Sequence, residues 1–135
     1  AGVLAAPMIP GLNDAEMERI LEVSARAGAS TGGYILLRLP HELKQMFEDW
    51  LAAHFPDRAA RVLDLIRQTR AGALNDAKYG QRFTGTGVYA DLLARRFTRA
   101  ARQWGLDRAE PLDTAAFAPP AAARTGMAEA QLSLF

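Results

Sequence analysis

The sequence predicts an α/β fold built on a parallel sheet, and three observations predict it. Val3 to Ile9 and Tyr34 to Leu39 are short apolar runs, the second broken only by Arg38. Runs apolar on both faces suit parallel strands that are covered on both sides. Between and after them apolar residues recur at helical spacing, giving the order β-α-β-α-α-loop-α-tail. Two consecutive βα units imply parallel pairing, yet two strands cannot complete a sheet. The missing neighbours come either from association of copies through strand edges or, more economically, from sequence upstream, and the chain opens on Ala1-Gly2-Val3-Leu4 as if entered within a strand.

Each element has its own signals. Pro10-Gly11 ends the first strand, and Asn13 with Glu16 reads as a helix cap with its capping-box partner. Met17, Ile20, Leu21 and Ala25 form one helical face, which Gly28 closes. Gly32-Gly33 lead into the second strand, which Pro40 ends. Leu43, Met46, Phe47, Trp50 and Leu51 then make a helical stripe expected to lie in the core. Pro56 breaks that helix and Asp57 is expected to cap the next, whose face is Val62, Leu63 and Ile66. After the Gly-containing loop 71–87, a last helix carries Tyr89, Leu92, Leu93, Phe97, Ala100 and Trp104 on one side. Residues 109–135 turn to Ala, Pro and small polar types, the composition of a flexible tail.

Charge is distributed unevenly. Residues 1–56 hold four basic and seven acidic side chains, residues 57–108 eleven and five, and residues 109–135 one and three. A cationic middle suits an anionic partner, although solvated arginines on helix faces would give the same count. There is no cysteine, which excludes disulfides, thiolate catalysis and cluster ligation by these residues. No stretch approaches the roughly 20 apolar residues of a membrane span, and no basic n-region opens the chain, so a cytoplasmic location without membrane contact is expected.

The run Pro7-Met8-Ile9-Pro10-Gly11-Leu12-Asn13-Asp14 resembles the fifth strand and following turn of radical S-adenosylmethionine (SAM) enzymes, whose pattern there is Gly-x-Ile-x-Gly-x-x-Glu. Ile9 and Gly11 match, Asp14 stands for the acid, and Pro7 departs from the first glycine. With Leu36-Leu37-Arg38-Leu39-Pro40-His41 and Tyr79-Gly80-Gln81-Arg82, the chain through about residue 120 resembles the C-terminal half of bacterial radical SAM proteins related to spore photoproduct lyase.

The resemblance implies an α/β fold that is the C-terminal part of a partial βα barrel. Residues 1–56 would be its last βα units and 57–108 its C-terminal helices with a basic loop. It also implies reductive cleavage of SAM by a 4Fe–4S cluster in a longer protein whose N-terminal half completes the barrel. The family binds that cluster through Cys-x-x-x-Cys-x-x-Cys, which is absent here, so this chain alone would be inactive. Ile9, Gly11, Leu37 and Arg38 would line part of the SAM site.

Individual residues carry further expectations. Arg38 within an apolar strand suits a group reaching the barrel mouth to pair with a substrate phosphate or the SAM carboxylate; an ion pair with Glu42 is the plainer reading. His41 and His54 read as helix-terminal residues, and Trp50 and Trp104 as core. The loop Lys78-Tyr79-Gly80-Gln81-Arg82-Phe83 interleaves cations with aromatics, as a grip on a phosphate backbone and its bases would. Alternatively its Tyr and Phe tuck against the body of the domain. Arg95 and Arg99, with Arg67, Arg70, Arg96 and Arg102, extend the nucleic-acid reading.

Gln131-Leu132-Ser133-Leu134-Phe135 resembles the pentapeptide that docks bacterial DNA polymerases and repair proteins on the sliding clamp. Work on DNA by a clamp-docked radical SAM enzyme is therefore expected. The alternatives are a non-catalytic nucleic-acid- or clamp-binding module, and a radical SAM enzyme acting on a small molecule or protein.

Overall fold

The computed structural model describes residues 1–108, 111, 114, 115, 117 and 118. Two strands, β1 (Gly2–Met8) and β2 (Thr31–Leu36), pair in parallel around helix α1 (Met17–Arg26). Helices α2 (Leu43–His54), α3 (Pro56–Gln68) and α4 (Val88–Gln103) follow. The mixed α/β class and the parallel pairing are as expected. The strand bounds are not: β2 begins three residues earlier than the apolar run and stops at Leu36. Gly32 and Gly33 belong to it, Gly32 packing closely on the core side chains and Gly33 on Leu4. A Cβ on Gly32 would stand 3.3 Å from Leu106 and 3.4 Å from Leu21.

The covered face of the sheet alternates through Val3 and Ala5 and resumes at Met8 after an irregularity in the register. Ala5, Met8 and Leu36 are buried against Met17 and Leu21 of α1 and against Ala90, Leu93, Ala100 and Ala101 of α4. Tyr34 stacks at a tilt on Phe97, with ring centroids 4.9 Å apart. The intervening residues Gly2, Leu4 and Ala6 face outward, and Leu4 is 60 % exposed. One face therefore carries the helices, while among the described residues nothing covers the other.

The two edges of the sheet also differ. On the outer edge of β2, Gly32 N–H donates to Leu106 O at 2.8 Å, Leu36 N–H donates to Phe83 O at 2.8 Å, and Thr31 bridges Asp107 in antiparallel fashion. The chain thus closes that edge with its own backbone. Among the described residues no segment pairs with the outer edge of β1.

A second cluster sits at the C-terminal ends of the strands. Leu51, Val62 and Ile66 are buried there, with Ile9, Leu12, Leu37, Phe47, Phe55 and Leu63 packed around them. It joins α2 to α3, with Pro56 as the first residue of α3. Phe55, not Asp57, occupies the cap position, and no side chain caps that helix; Asp57 lies in the first turn. Trp104 packs on the first cluster, but the α2 stripe is only partly covered, with Leu43, Met46 and Trp50 exposed. Among the described residues no helix is long and apolar enough to cross a membrane.

Candidate functional site at the C-terminal strand ends

The turn after β1 is built by Asn13 and Asp14 reaching backward. Asn13 Oδ1 accepts from Ile9 N–H at 2.7 Å and its Nδ2 donates to Pro7 O, so its side chain closes the turn. That replaces the expected capping box, and α1 starts at Met17 after a 3-10 turn over Asp14–Glu16. Gly11 has φ +72°, the left-handed region that favours glycine, and a Cβ there would stand 2.7 Å from Leu65 Cδ1. Arg58 Nη2 donates to Gly11 O at 2.6 Å. The turn is therefore fastened to α3 on its far side. Ile9 and Leu37 both pack into the second cluster and remain half-buried at the strand ends.

Asp14, 6 % exposed, anchors the covered side. Its Oδ1 accepts from Gly11 N–H at 2.9 Å and its Oδ2 from Tyr89 O–H at 2.7 Å. Arg96 donates to Asp14 O at 2.9 Å and grips both carboxylate oxygens of Glu18 at 2.7 Å. The Arg96 hydrogen bonds hold the Glu18 carboxyl below its usual range, and the same contact raises Arg96. Burial, then the bond to Asp14, pushes the Tyr89 phenol up. Arg96 is thus spent inside the domain and does not face an external anion, contrary to expectation.

Arg70 departs further from expectation. It is 1 % exposed, and its guanidinium serves four main-chain carbonyls. Nη2 donates to Leu36 O at 3.2 Å and Leu37 O at 2.9 Å, and Nη1 to Gln81 O at 3.3 Å and Arg82 O at 2.9 Å. Burial first, then the charge of Arg38, lowers its affinity for its proton, against the opposing charge of Asp76. Arg70 ties the end of β2 to the loop 71–87. Thr86 N–H completes the tie by donating to Thr69 O at 3.0 Å. Gly85, at φ +74°, has no room for a Cβ, which would stand 2.8 Å from Thr69 O and 2.9 Å from Leu36 Cδ1.

That tie brings two expected site residues together. Arg38 and Arg82 both lie over the Phe83 ring, with their guanidinium carbons 5.5 and 4.7 Å from its centroid. Arg82 also lies 5.5 Å from the centroid of Tyr79. Among the described residues neither arginine makes an ion pair or side-chain hydrogen bond, and the Nε of each is buried without a partner. The Arg38–Glu42 pair is not formed. Tyr79 is 91 % exposed and does not tuck against the domain.

The remaining expected residues lie apart. Arg95 and Arg99, with Thr98 and Arg102, line a shallow concavity of about 470 Å³ on α4. His41, at φ +49°, sits in the turn before α2, and the His54 ring hydrogen-bonds Trp50 O at 2.9 Å. Gln131, Leu132, Ser133, Leu134 and Phe135 lie outside the described residues. Sequence reasoning missed the closure by Asp14, Tyr89 and Arg96 and the role of Arg70. Comparison with known proteins adds no assignment: no family model, curated protein or solved structure matches the chain.

Proposed function

We propose that this chain is the closing segment of a partial βα barrel of the radical SAM kind, and that the enzyme it belongs to acts on DNA. The observation that carries the reading is the asymmetry of the sheet. Phe83 and Leu106 bond the outer edge of β2, while among the described residues nothing pairs with the outer edge of β1 and the face bearing Leu4 is exposed. A sheet of this kind gains strands on one side only, and added strands that curl into a barrel would also cover its bare face.

The residues present suit one of the two groups such an enzyme needs. Ile9 and Leu37 offer half-buried apolar surface at the strand ends, so together they suit one wall of a SAM site. Gly11 contributes indirectly, since its bare Cα answers to Leu65 and the backbone turn. The cluster does not fit: without a thiolate these residues cannot hold it, and no electron-transfer step is assigned to them.

The test is SAM affinity in a polypeptide that joins this chain to a cluster-binding segment, measured by calorimetry. Ile9→Ala is expected to raise the SAM Kd at least fivefold with the fold retained by circular dichroism. An unchanged Kd removes the wall assignment.

Docking on the bacterial sliding clamp through Gln131–Phe135 belongs to the same proposal, and the agreement of all five positions with that motif supports it. A labelled 125–135 peptide is expected to bind the clamp at roughly −7 to −9 kcal/mol in fluorescence anisotropy, as a short linear motif does. Equal binding by the Leu134→Ala/Phe135→Ala peptide overturns it.

A further inference from the structure

Four side chains at the end of β2 alternate ring and cation: Tyr79, Arg82, Phe83 and Arg38. Their arrangement is costly as it stands. Two guanidinium groups share one aromatic ring, a third, Arg70, lies just beneath, and the Nε of all three is buried without an acceptor; Arg70 alone has its terminal nitrogens answered by carbonyls. Among the described residues none of the three forms an ion pair, and Asp76 is the one acid whose charge opposes that of Arg70. Stacking on Phe83 orients the two outer guanidiniums, but a ring quadrupole does not replace an oxygen acceptor.

Arg70 belongs to the scaffold. By bonding Leu37 O and Arg82 O it fixes the backbone next to Arg38 and that of Arg82 in one place, so the two outer guanidiniums are held together despite their like charge. The group that would relieve this arrangement is an oxyanion. Beside it Tyr79, 91 % exposed, has a ring partnered by Arg82 and open to a planar ligand.

We propose that Arg38, Arg82 and Tyr79 form a nucleotide site, in which the two arginines bind the phosphate and Tyr79 stacks on the base. The inference rests on the DNA part of the function proposed above and moves Arg38 from the cofactor to the substrate. An Arg pair recognises phosphate oxygens through charge-assisted bonds, and an exposed aromatic stacks on any base without selecting it. The shared chemistry is a base carrying a phosphate, either as a free nucleotide or within a strand.

The experiment titrates the protein with inorganic phosphate, 2′-deoxycytidine 5′-monophosphate and deca-deoxycytidylate at two salt concentrations, by calorimetry and competition anisotropy. The mononucleotide is expected to bind at least tenfold more tightly than phosphate, and Tyr79→Ala to remove that advantage. Arg38→Gln and Arg82→Gln should each weaken it at least fivefold. Arg19→Gln, on an exposed residue paired with Glu22 on α1, should leave it unchanged. A decamer that binds more tightly than the mononucleotide, with a steeper salt dependence, identifies a strand as the source; equal affinities identify the free nucleotide. Absence of nucleotide binding, equal affinity for phosphate and nucleotide, indifference to both Gln variants, or displacement of the nucleotide by SAM overturns the site. Failure here with the Ile9→Ala effect on SAM intact leaves the barrel reading standing. The converse result leaves a binding module without the SAM wall.

Discussion

Arg96 and the Arg38–Arg82 pair are similar cations in opposite circumstances. Arg96 meets both oxygens of Glu18 and the main-chain carbonyl of Asp14, with Tyr89 completing the Asp14 carboxylate. Arg38 and Arg82 meet only aromatic rings. A cation whose donors are all answered within the fold contributes to stability, and one left unanswered is available to something outside it. The difference separates arginines that hold α4 on α1 from arginines that a ligand can still reach.

The comparison is sharpest at Arg70, which lies beneath the unanswered pair and whose Nη1 and Nη2, though not its Nε, are bonded to the backbone. Arg70→Met should cost about 3–5 kcal/mol in urea unfolding, because four carbonyls lose a charged donor in a buried place. A loss below about 1 kcal/mol would mean that the loop is held by other contacts.

Arg96→Ala should cost about 2 kcal/mol, since Asp14 stays buried with fewer partners. The same network gives a pH signature. The folded-state pKa of Glu18 is depressed from its ordinary 4.5, so its contribution is present above that value and is lost as pH falls through the lower folded pKa. Thermal unfolding from pH 6 to pH 3 should show a smaller fall in Tm for Arg96→Ala than for the wild type. Identical slopes would place Glu18 outside the balance.

Arg82→Gln should change stability least, by under about 1 kcal/mol, the scale of an exposed cation–π contact. A cost as large as that of Arg96→Ala would erase the distinction, because Arg82 would then be structural as well.

The two strands, the parallel pairing and the existence of every helix were legible in the sequence because each rests on a local apolar pattern. What sequence reasoning missed depends on distant partners. Gly32 and Gly33 carry no side chain to signal a strand, and their neighbours there, Leu21 and Leu106 for Gly32 and Leu4 for Gly33, are distant in sequence. Asn13 has the look of a cap, but the N–H within its reach was that of Ile9. Arg70 read as a surface charge, although it continues the Val62–Ile66 row at a spacing of four. Arg96 likewise falls between Leu93 and Ala100 on the buried side of α4. A charge lying on an apolar stripe was the available signal in both cases. Of the site, Arg38, Tyr79 and Arg82 could be singled out from chain position, but their meeting around Phe83 could not, because Arg70 creates it across more than thirty residues.

The sealed edge of β2 also limits how copies of this segment can associate. An unpaired strand edge recruits other strands, and a sheet with two such edges can add neighbours without end. Among the described residues Phe83 and Leu106 occupy one edge, which leaves the β1 edge for pairing. Two copies meeting along β1 would use the edge that remains, and further growth along the sheet would have to displace the backbone bonded at Gly32 and Leu36.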